Sequence, residues 1–426
     1  MFRLDCESSF TEVVVSARVA FSRRSWPFVV CSALSWVVLT GQRTVTRVAA
    51  LASHPRSLSS YYRFLSSGKF RLEVFFRCLF EVIVATFRPA EVTIVLDDTL
   101  SPKWGRGIFG TAYHFDHAAR PRPGYIWGHS WVVLAIVLQI GEMAYVALPF
   151  WVSLYRPRKR CPAREFRTRH ELAVHALECV RSWVPDAITL TLIADGAYNV
   201  RPLIGAARAL DTRLVSRIRS DARLREVEPP PRRKGARGRK PKHGAYLAAL
   251  PAIARQKASF ASHTVAIYGR KVTLLLREVV AYWPAARCVV KIVIARDPGR
   301  KRRAAYLCTT DVAMSAVAVV ETFARRWTIE QLFSVVKLKL GFDSAEVRKE
   351  HSVVRHAALT MALVTWVEVW ARRVRPRLAA SPFSAKIAAV REDAVKKVVF
   401  ASGPKTRGLR RNAETLARLF TVMGEA

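Results

Sequence analysis

The stretch EVTIVLDDT (91–99) decides the fold of this chain, because it is a buried-strand pattern that runs into acidic residues. Val, Ile, Thr and Leu dominate it, and these side chains suit a strand with both faces covered. A second stretch, AITLTLIADGAYN (187–199), repeats the design. Two such strands predict an α/β sheet in which Asp97, Asp98 and Asp195 lie where the strands end.

The segments between these stretches fit the same sheet. YIWGHSWVVLAIVLQI (125–140) and MAYVALPFWVSLY (143–155) have the composition of neighbouring strands, and REFRTRHELAVHALECVRS (164–182) is typical of a helix. Strands that feed a helix and then another strand indicate an α/β fold.

The 426 residues carry far more positive charge than solubility needs. Lys and Arg number 70 against 32 Asp and Glu, a net charge of +38. This excess predicts a polyanionic partner, most commonly nucleic acid. The apolar windows 25–42 and 131–155 are too short or too interrupted to span a bilayer, so we expect a buried helix, two strands and no membrane association.

The cysteines and the first residues indicate where the protein works. The seven Cys are scattered without a Cys-x-x-Cys pair, which favours a reduced protein with no zinc site or disulfide framework. Asp5, Glu7 and Glu12 stand where a signal peptide would be basic and apolar. We therefore expect a cytoplasmic location.

Composition along the chain predicts five regions. In the first, RTVTRVAALASHPRSLSSYYRFLSSGKF (43–70) fits a helix, a turn and a second helix that begins at Leu58 after a Ser57 cap. This pair is either a DNA-binding helix-turn-helix or part of a helical bundle that packs on the next domain. The five regions are a helical DNA-binding region (1–87), the first part of an α/β core (88–214), a strand-rich insertion (215–310), the second part of the core (311–350) and a helical basic region (351–426).

The predicted insertion combines strands with a basic loop. A hairpin is expected in 263–283, turning near Tyr268 to Lys271, followed by strands in 288–298 and 304–311. Arg232–His243 contains seven Lys and Arg residues and no acid. This loop fits either a DNA contact, which we favour, or a solvated linker. Its candidate DNA-binding residues are Arg232, Arg233, Lys234, Arg237, Arg239 and Lys240.

A short amphipathic helix is expected in ARRWTIEQLFSVVKLKLG (324–341). Thr328 and Gln331 fit a capping box for a helix that begins near Ile329, and Asp311 is the expected cap of the preceding helix.

Glu330 and Lys337 are seven residues apart on this helix, so their side chains share one face. We expect Leu332, Val335 and Val336 to face the core.

Three acids, Asp97, Asp195 and Glu330, stand out by position. Carboxylates that converge on one pocket resist joint ionisation unless cations neutralise them, and Mg²⁺ prefers oxygen ligands of this kind. Each acid also has an ordinary explanation, because Asp caps strand ends and Glu is favoured in a first helical turn. Their combination in a strongly basic chain favours a metal site.

Three motifs resemble the Asp-Asp-Glu transposases of bacterial insertion sequences: VLDDT (95–99), LIADGAYN (192–199) and FARRWTIEQLFSVVK (323–337). The matching branch is marked by Tyr-x(2)-Arg-x(3)-Glu-x(6)-Lys, whose spacing falls here on Phe323, Arg326, Glu330 and Lys337. Phe323 departs from the usual Tyr, so a phosphate contact by that hydroxyl is absent.

The resemblance implies a ribonuclease-H-like α/β core with a strand-rich insertion, flanked by helical regions. It implies that Asp97, Asp195 and Glu330 are catalytic and bind two Mg²⁺ ions, for which Mn²⁺ can substitute, with Asp98 as a weaker claimant to the first position. Arg326 and Lys337 would bind DNA phosphates. The implied partners are double-stranded DNA, as transposon ends and target, and a second copy of the chain on DNA.

The resemblance leaves two rival functions open. One is a DNA-binding protein without catalysis, and the other is a stand-alone nuclease of the same fold, which would cut without joining. Three further residues carry weaker expectations. His129 lies in a stretch similar to the branch's second strand, and Trp283 and Trp327 are candidates for base stacking, but core packing is the favoured role of all three.

Overall fold

The computed structural model describes residues 9–51, 57–116, 121–229, 242–256, 259–299 and 303–400, with the side chains of 395–400 left out. The candidate loop residues Arg232 to Lys240 lie outside these ranges, so their DNA contact stays a prediction.

In the described chain, one mixed sheet of ten strands forms the centre of the molecule. Its path runs β2-β3-β1-β5-β6-β10-β9-β8-β7, and β4 also pairs with β3. β5 is parallel to β1 and β6 to β5, whereas the other pairs are antiparallel. The strands are β1 (Val92–Pro102), β2 (Ala112–Asp116), β3 (Gly124–Gln139), β4 (Tyr145–Tyr155), β5 (Leu190–Ala194), β6 (Thr212–Arg217), β7 (Ala261–Ile267), β8 (Arg270–Trp283), β9 (Cys288–Arg296) and β10 (Ala305–Thr309).

β1 confirms the buried-strand prediction but extends further than expected. Ile94, Val95 and Leu96 are fully buried, as a central strand with both faces covered requires. The prediction that the strand stops at Asp97 is wrong, because β3 pairs with β1 as far as Pro102. Antiparallel pairing with β3 therefore satisfies the backbone beyond the point where β5 ends.

Most of the other predicted strands are confirmed. β3 and β4 occupy 131–155, β5 is followed directly by Asp195, and β9 and β10 lie where strands were expected. β7 and β8 form the predicted hairpin, whose two-residue turn places Tyr268 and Gly269 at positive φ. The strands of the predicted insertion continue the central sheet through the pairing of β10 with β6. The proposed domain boundaries themselves stay a prediction.

The helices before β1 pack with those after residue 349 and form a layer against β4. Their residues and those of the sheet share one apolar core, while a smaller core lies between α9 and strands β6 to β10. The helices are α1 (Ser9–Val14), α2 (Trp26–Val38), α3 (Val45–Leu51), α4 (Leu58–Ser67), α5 (Leu72–Phe87), α6 (Arg169–Arg181), α7 (Arg201–Ala209), α8 (Leu250–Arg255), α9 (Ala316–Ala324), α10 (Trp327–Leu340), α11 (Glu350–Val374) and α12 (Phe383–Phe400).

Four helices bear on earlier expectations. α2 is the buried helix expected in 25–42. α3 and α4 are the predicted helical pair. α4 packs on α11, and its Tyr61, Phe64 and Leu65 are buried, so a DNA-binding role for the pair stays a prediction. α11 is long and apolar enough to cross a membrane, but 94% of its most apolar window is buried inside the protein.

Side-chain caps fix where α6 and α9 begin. A capping box forms at the N-terminus of α6. The Thr168 hydroxyl accepts a hydrogen bond from the Glu171 backbone N–H, and the Glu171 carboxylate accepts one from the Thr168 backbone N–H. The predicted cap of α9 is wrong: Ser315 takes that role by accepting from the Ala318 N–H, and Asp311 accepts from Ala313 in the preceding turn. Ser315 is the residue immediately before the first helical turn, which is where a capping oxygen must lie.

A buried ion pair joins α11 to α12. Lys386 Nζ donates to Glu368 Oε2 at 2.7 Å and to the Ala379 carbonyl at 2.8 Å. Lys386→Met should lower the free energy of unfolding by about 3–5 kcal/mol, because it leaves the Glu368 carboxylate buried without its cation. Chemical denaturation measures the loss.

The double variant Glu368→Leu with Lys386→Met is the matched control and should recover most of that stability. Equal destabilisation of the single and double variants would show that the loss comes from packing and not from the unpaired charge.

Candidate functional site

Sheet register brings Asp97 and Asp195 together. Leu96 of β1 pairs in parallel with Ala194 of β5, so each Asp follows a paired residue on adjacent strands. Neighbouring strands lie about 4.8 Å apart, so the backbone positions from which the two Asp side chains extend are close together. The charge of Asp195 acts on both Asp97 and Arg326. Asp97 and Asp195, the two acids predicted from the strand patterns, therefore lie at neighbouring positions on adjacent strands.

Arg326 links Asp97 to Glu330. Its Nη1 donates to Asp97 Oδ2 at 3.1 Å, and its Nη2 donates to Glu330 Oε1. The Asp97 and Arg326 side chains are both largely buried. Arg326 thus pairs with two of the three predicted acids, and the charge of the third, Asp195, also acts on it.

The break between α9 and α10 positions this guanidinium. α9 ends at Ala324, and Arg326 is the residue just before the first turn of α10. The predicted helix start near Ile329 and the capping box at Thr328 are wrong, because Thr328 lies inside the helix and donates to the Arg325 carbonyl. The guanidinium carbon of Arg326 lies 5.9 Å from the centre of the Phe323 ring, within range of a cation–π contact.

Burial governs the charge state of this cluster. Desolvation raises the pKa of Asp97 from its ordinary 3.8 to about 7, although the Asp98 N–H and Arg326 oppose the shift. Burial also opposes the charge of Arg326, yet the hydrogen bond to Glu330 and the charges of Asp97, Glu330 and Asp195 raise its pKa overall. Burial therefore outweighs the pairing with Arg326 and makes Asp97 hold its proton more tightly than an ordinary aspartic acid.

Asp98 belongs to the opposite face of β1. Its carboxylate accepts from Tyr198 Oη at 3.3 Å and lies 3.5 Å from Arg169 Nε. Burial, followed by the charges of Asp98 and Asp97, raises the pKa of Tyr198 well above its ordinary value. Sequence reasoning did not predict this group, although Tyr198 stands in the LIADGAYN motif and Arg169 begins α6.

Lys337 reaches β1 two helical turns beyond Glu330. Its Nζ donates to the Leu100 carbonyl at 2.7 Å, and burial lowers its pKa. Leu332 and Val336 are buried on the core side of α10, and Val335 is half-buried. The seven-residue spacing thus directs Glu330 and Lys337 to the same strand, as the helical pattern predicts.

Metal binding requires a change at this cluster. Within the described ranges, no group of three His, Cys, Asp or Glu side chains is arranged to hold a metal ion. The donors nevertheless suit a hard divalent cation, because all are carboxylate oxygens. Arg326 occupies the carboxylate oxygens that such an ion would use.

The remaining candidates lie mainly in packed positions. His129 is buried, with Nε2 at 2.8 Å from the Phe109 carbonyl oxygen. Trp283 packs partly buried against the main core, in line with its favoured role. Trp327 is 48% exposed, so core packing does not account for its whole ring.

Comparison with known proteins gives a family for this chain. A family model described as DDE superfamily endonuclease matches residues 19–274. The matched span includes Asp97 and Asp195 and ends before Glu330. No curated protein matches the chain.

The raised pKa of Asp97 predicts how pH affects metal-free protein. The folded pKa, about 7, exceeds the ordinary value of 3.8, so the folded state binds the proton more tightly. The Asp97 contribution to stability is therefore lost progressively as pH rises from about 4 to 7 and is constant above that. Asp97→Asn, which resembles the protonated acid, should stabilise the protein by about 2–4 kcal/mol at pH 8 and much less at pH 4.

Thermal unfolding with a chelator present, at several pH values, measures this difference. A gain that does not change with pH would contradict the assigned charge state of Asp97.

Proposed function

Because this chain belongs to the DDE superfamily endonucleases, we propose that it is a DNA transposase. It cleaves at the ends of an insertion sequence and joins the 3′-hydroxyl ends to target DNA. The observation that carries the proposal is the pairing of Arg326 with both Asp97 and Glu330, beside the adjacent strand end that carries Asp195.

The proposed catalytic core is ribonuclease-H-like. Its strands, in the order β4-β3-β1-β5-β6, form one half of the sheet. Three antiparallel strands followed by two parallel ones leave Asp97 in the middle and Asp195 at an adjacent strand end. This order supports the proposal because it brings acids from distant parts of the chain to one edge.

In this proposal Asp97, Asp195 and Glu330 would hold two Mg²⁺ ions, or Mn²⁺ in their place. The ions would supply activation of water or of a 3′-hydroxyl and stabilisation of the leaving oxygen in an in-line phosphoryl transfer. Asp97 must lose its proton to serve as a ligand. With a pKa of about 7 it does so near neutral pH.

Arg326 has two roles in the proposed cycle. Without DNA, it neutralises Asp97 and Glu330 and holds β1 against α10. With DNA, its guanidinium pairs with a phosphate beside the carboxylates, and Lys337 pairs with the next phosphate. The arginine thereby exchanges its two carboxylate partners for a phosphate, which is also negatively charged.

The rest of the chain would supply DNA affinity. A net charge of +38 favours binding to the phosphate backbone. We assign such contacts to the basic loop and to the helices before β1. The chain would act as a dimer when bound to DNA, in the bacterial cytoplasm.

A second candidate is a passive DNA-binding protein of the same fold. The observation that favours it is the salt bridge of Arg326 to both Asp97 and Glu330, which satisfies the acids without a metal ion. The two candidates differ in whether that salt bridge opens when DNA and metal are present.

Mg²⁺-dependent cleavage separates these candidates. The substrate is a duplex that contains the terminal repeat from the DNA flanking this reading frame. Glu330→Gln should abolish cleavage at the repeat boundary while DNA binding persists, because the amide keeps the shape but loses the negative charge that holds the cation. Gel analysis of the products measures both.

Glu350→Gln is the matched control, since Glu350 is also a first-turn glutamate but lies exposed at the start of α11. DNA binding by the wild type without cleavage in Mg²⁺ or Mn²⁺ would favour the passive candidate.

Arg326→Gln tests the competition between arginine and metal. Removal of a cation that pairs with two carboxylates should raise the affinity of DNA-free protein for Mn²⁺ by at least about tenfold. Titration of free Mn²⁺ by electron paramagnetic resonance measures this affinity.

Arg325→Gln serves as control, because the Arg325 guanidinium lies over the Tyr145 ring instead of at the acids. Unchanged or weaker Mn²⁺ binding by the Arg326 variant would contradict the competition.

A further inference from the structure

Four aromatic side chains form a ladder on the hairpin of β2 and β3. Tyr113 pairs directly with Trp127, and Phe115 pairs with Tyr125. The ring centres are 5.0 Å apart in the first pair and 5.2 Å apart in the second. We call Tyr113, Phe115, Tyr125 and Trp127 the aromatic ladder. Both pairs lie on one face of the hairpin, because the members of each strand are two residues apart.

The aromatic ladder is exposed to solvent. Tyr125 is 72% exposed and Tyr113 is 65% exposed, and Trp104 beside them is 93% exposed. Together with Arg106, some of these rings line an open cleft of about 400 Å³. A contiguous exposed aromatic surface of this kind marks an interaction site more often than chance packing.

The ladder continues the face of the sheet that contains Asp97. Asp97, Thr99 and Ser101 lie at alternate positions of β1 and therefore share one face of the sheet. Ser101 pairs with His129 of β3, so His129 lies on that face too. Trp127 and Tyr125 follow from His129 in steps of two, so they stay on the same face. Asp97 pairs with Val133, six residues from Trp127, which is roughly 20 Å along the strand.

Two contacts fix the hairpin relative to the site. A Cβ on Gly128 would lie 2.2 Å from the Ser101 carbonyl oxygen, so β1 and β3 approach each other here as only glycine permits. Trp127 Nε1 donates to the Gly105 carbonyl at 3.1 Å. At the far end of β2, the charge of Asp116 acts on Lys337 of α10. These contacts fix the hairpin to β1, and Asp116 at its end lies within electrostatic range of Lys337.

Positive charge surrounds the ladder. The guanidinium of Arg160 lies 5.0 Å from the Trp127 ring centre. Arg158, Lys159 and Arg160 are all exposed, as is Arg106 on the other side of the ladder. Exposed rings interleaved with cations suit nucleic acid whose bases are unpaired, since stacking needs an accessible base face and the cations pair with phosphates. A paired duplex presents phosphates but hides its base faces.

We propose that the aromatic ladder binds unpaired nucleotides of the DNA substrate by base stacking, roughly 20 Å from the acids proposed to hold the scissile phosphate. The choice of DNA as occupant rests on the proposed function. The ladder would hold the strand that separates at a cleaved end, with Arg106 and Arg160 on the flanking phosphates.

The test compares two DNA probes at one salt concentration. One is a fully paired duplex, and the other is the same duplex with a single-stranded tail that contains 2-aminopurine, whose fluorescence falls on stacking. Wild-type full-length protein should bind the tailed probe more tightly and quench it. Tyr113→Ala and Tyr125→Ala should each weaken binding of the tailed probe by about tenfold, reduce the quenching and leave binding of the paired duplex unchanged.

Tyr268→Ala is the matched control, because Tyr268 is also an exposed tyrosine but lies in the turn between β7 and β8. Equal effects of the ladder variants on both probes, or no effect on either, would overturn the ladder proposal. A change in sedimentation behaviour without a change in DNA affinity would also overturn it and would identify the ladder as a contact between copies of the chain.

Cleavage of the terminal-repeat duplex, measured in parallel, keeps the two proposals distinguishable. Cleavage without preference for the tailed probe would contradict only the ladder proposal. Stacking on the tailed probe without cleavage would contradict only the transposase proposal. A wild-type protein that binds neither probe defeats both.

Discussion

The candidate site depends on one electrostatic constraint: the buried carboxylate of Asp97 must be neutralised. Asp97 lies in a central strand that packing makes apolar on both sides, so its charge is costly there without a cation. Arg326 supplies that cation and extends the same contact to Glu330. The position of α10, the break before it and the pairing of β1 with both neighbours all contribute to this contact.

The two faces of β1 separate two acidic groups that are adjacent in sequence. Asp97 faces α10 and Arg326, whereas Asp98 contacts Tyr198 and Arg169 near α6. Alternation along a strand makes this separation unavoidable. The choice of Asp97 over Asp98 as the proposed ligand thus gains a physical basis, because Glu330 meets only the Asp97 side.

Sequence patterns predicted the elements whose signal is local. The β-branched runs of β1 and β5 and the periodicity of α6 depend on neighbouring residues, and each was found where expected. The extension of β1 to Pro102 was not predictable in this way, because it depends on pairing with β3. The helix caps were misassigned because Ser315 competes with Asp311, and because α10 begins before Thr328.

Within the site, the three acids followed from motif spacing, but their contacts did not. Arg326 meets Asp97 across 229 positions of the chain, and Lys337 meets Leu100 across 237. Such contacts arise from the packing of α10 on β1, which no local pattern encodes. The joining of the predicted insertion to the central sheet, through β10 and β6, is hidden from sequence for the same reason.

The most direct measurement is a crystal structure with Mn²⁺ and DNA, in which anomalous scattering locates the metal. We expect anomalous peaks at Asp97, Asp195 and Glu330, with the Arg326 guanidinium withdrawn from both carboxylates and paired with a DNA phosphate. Arg326 still bridging Asp97 and Glu330, with no anomalous peak beside them, would contradict the claim that these acids form a metal-dependent active site.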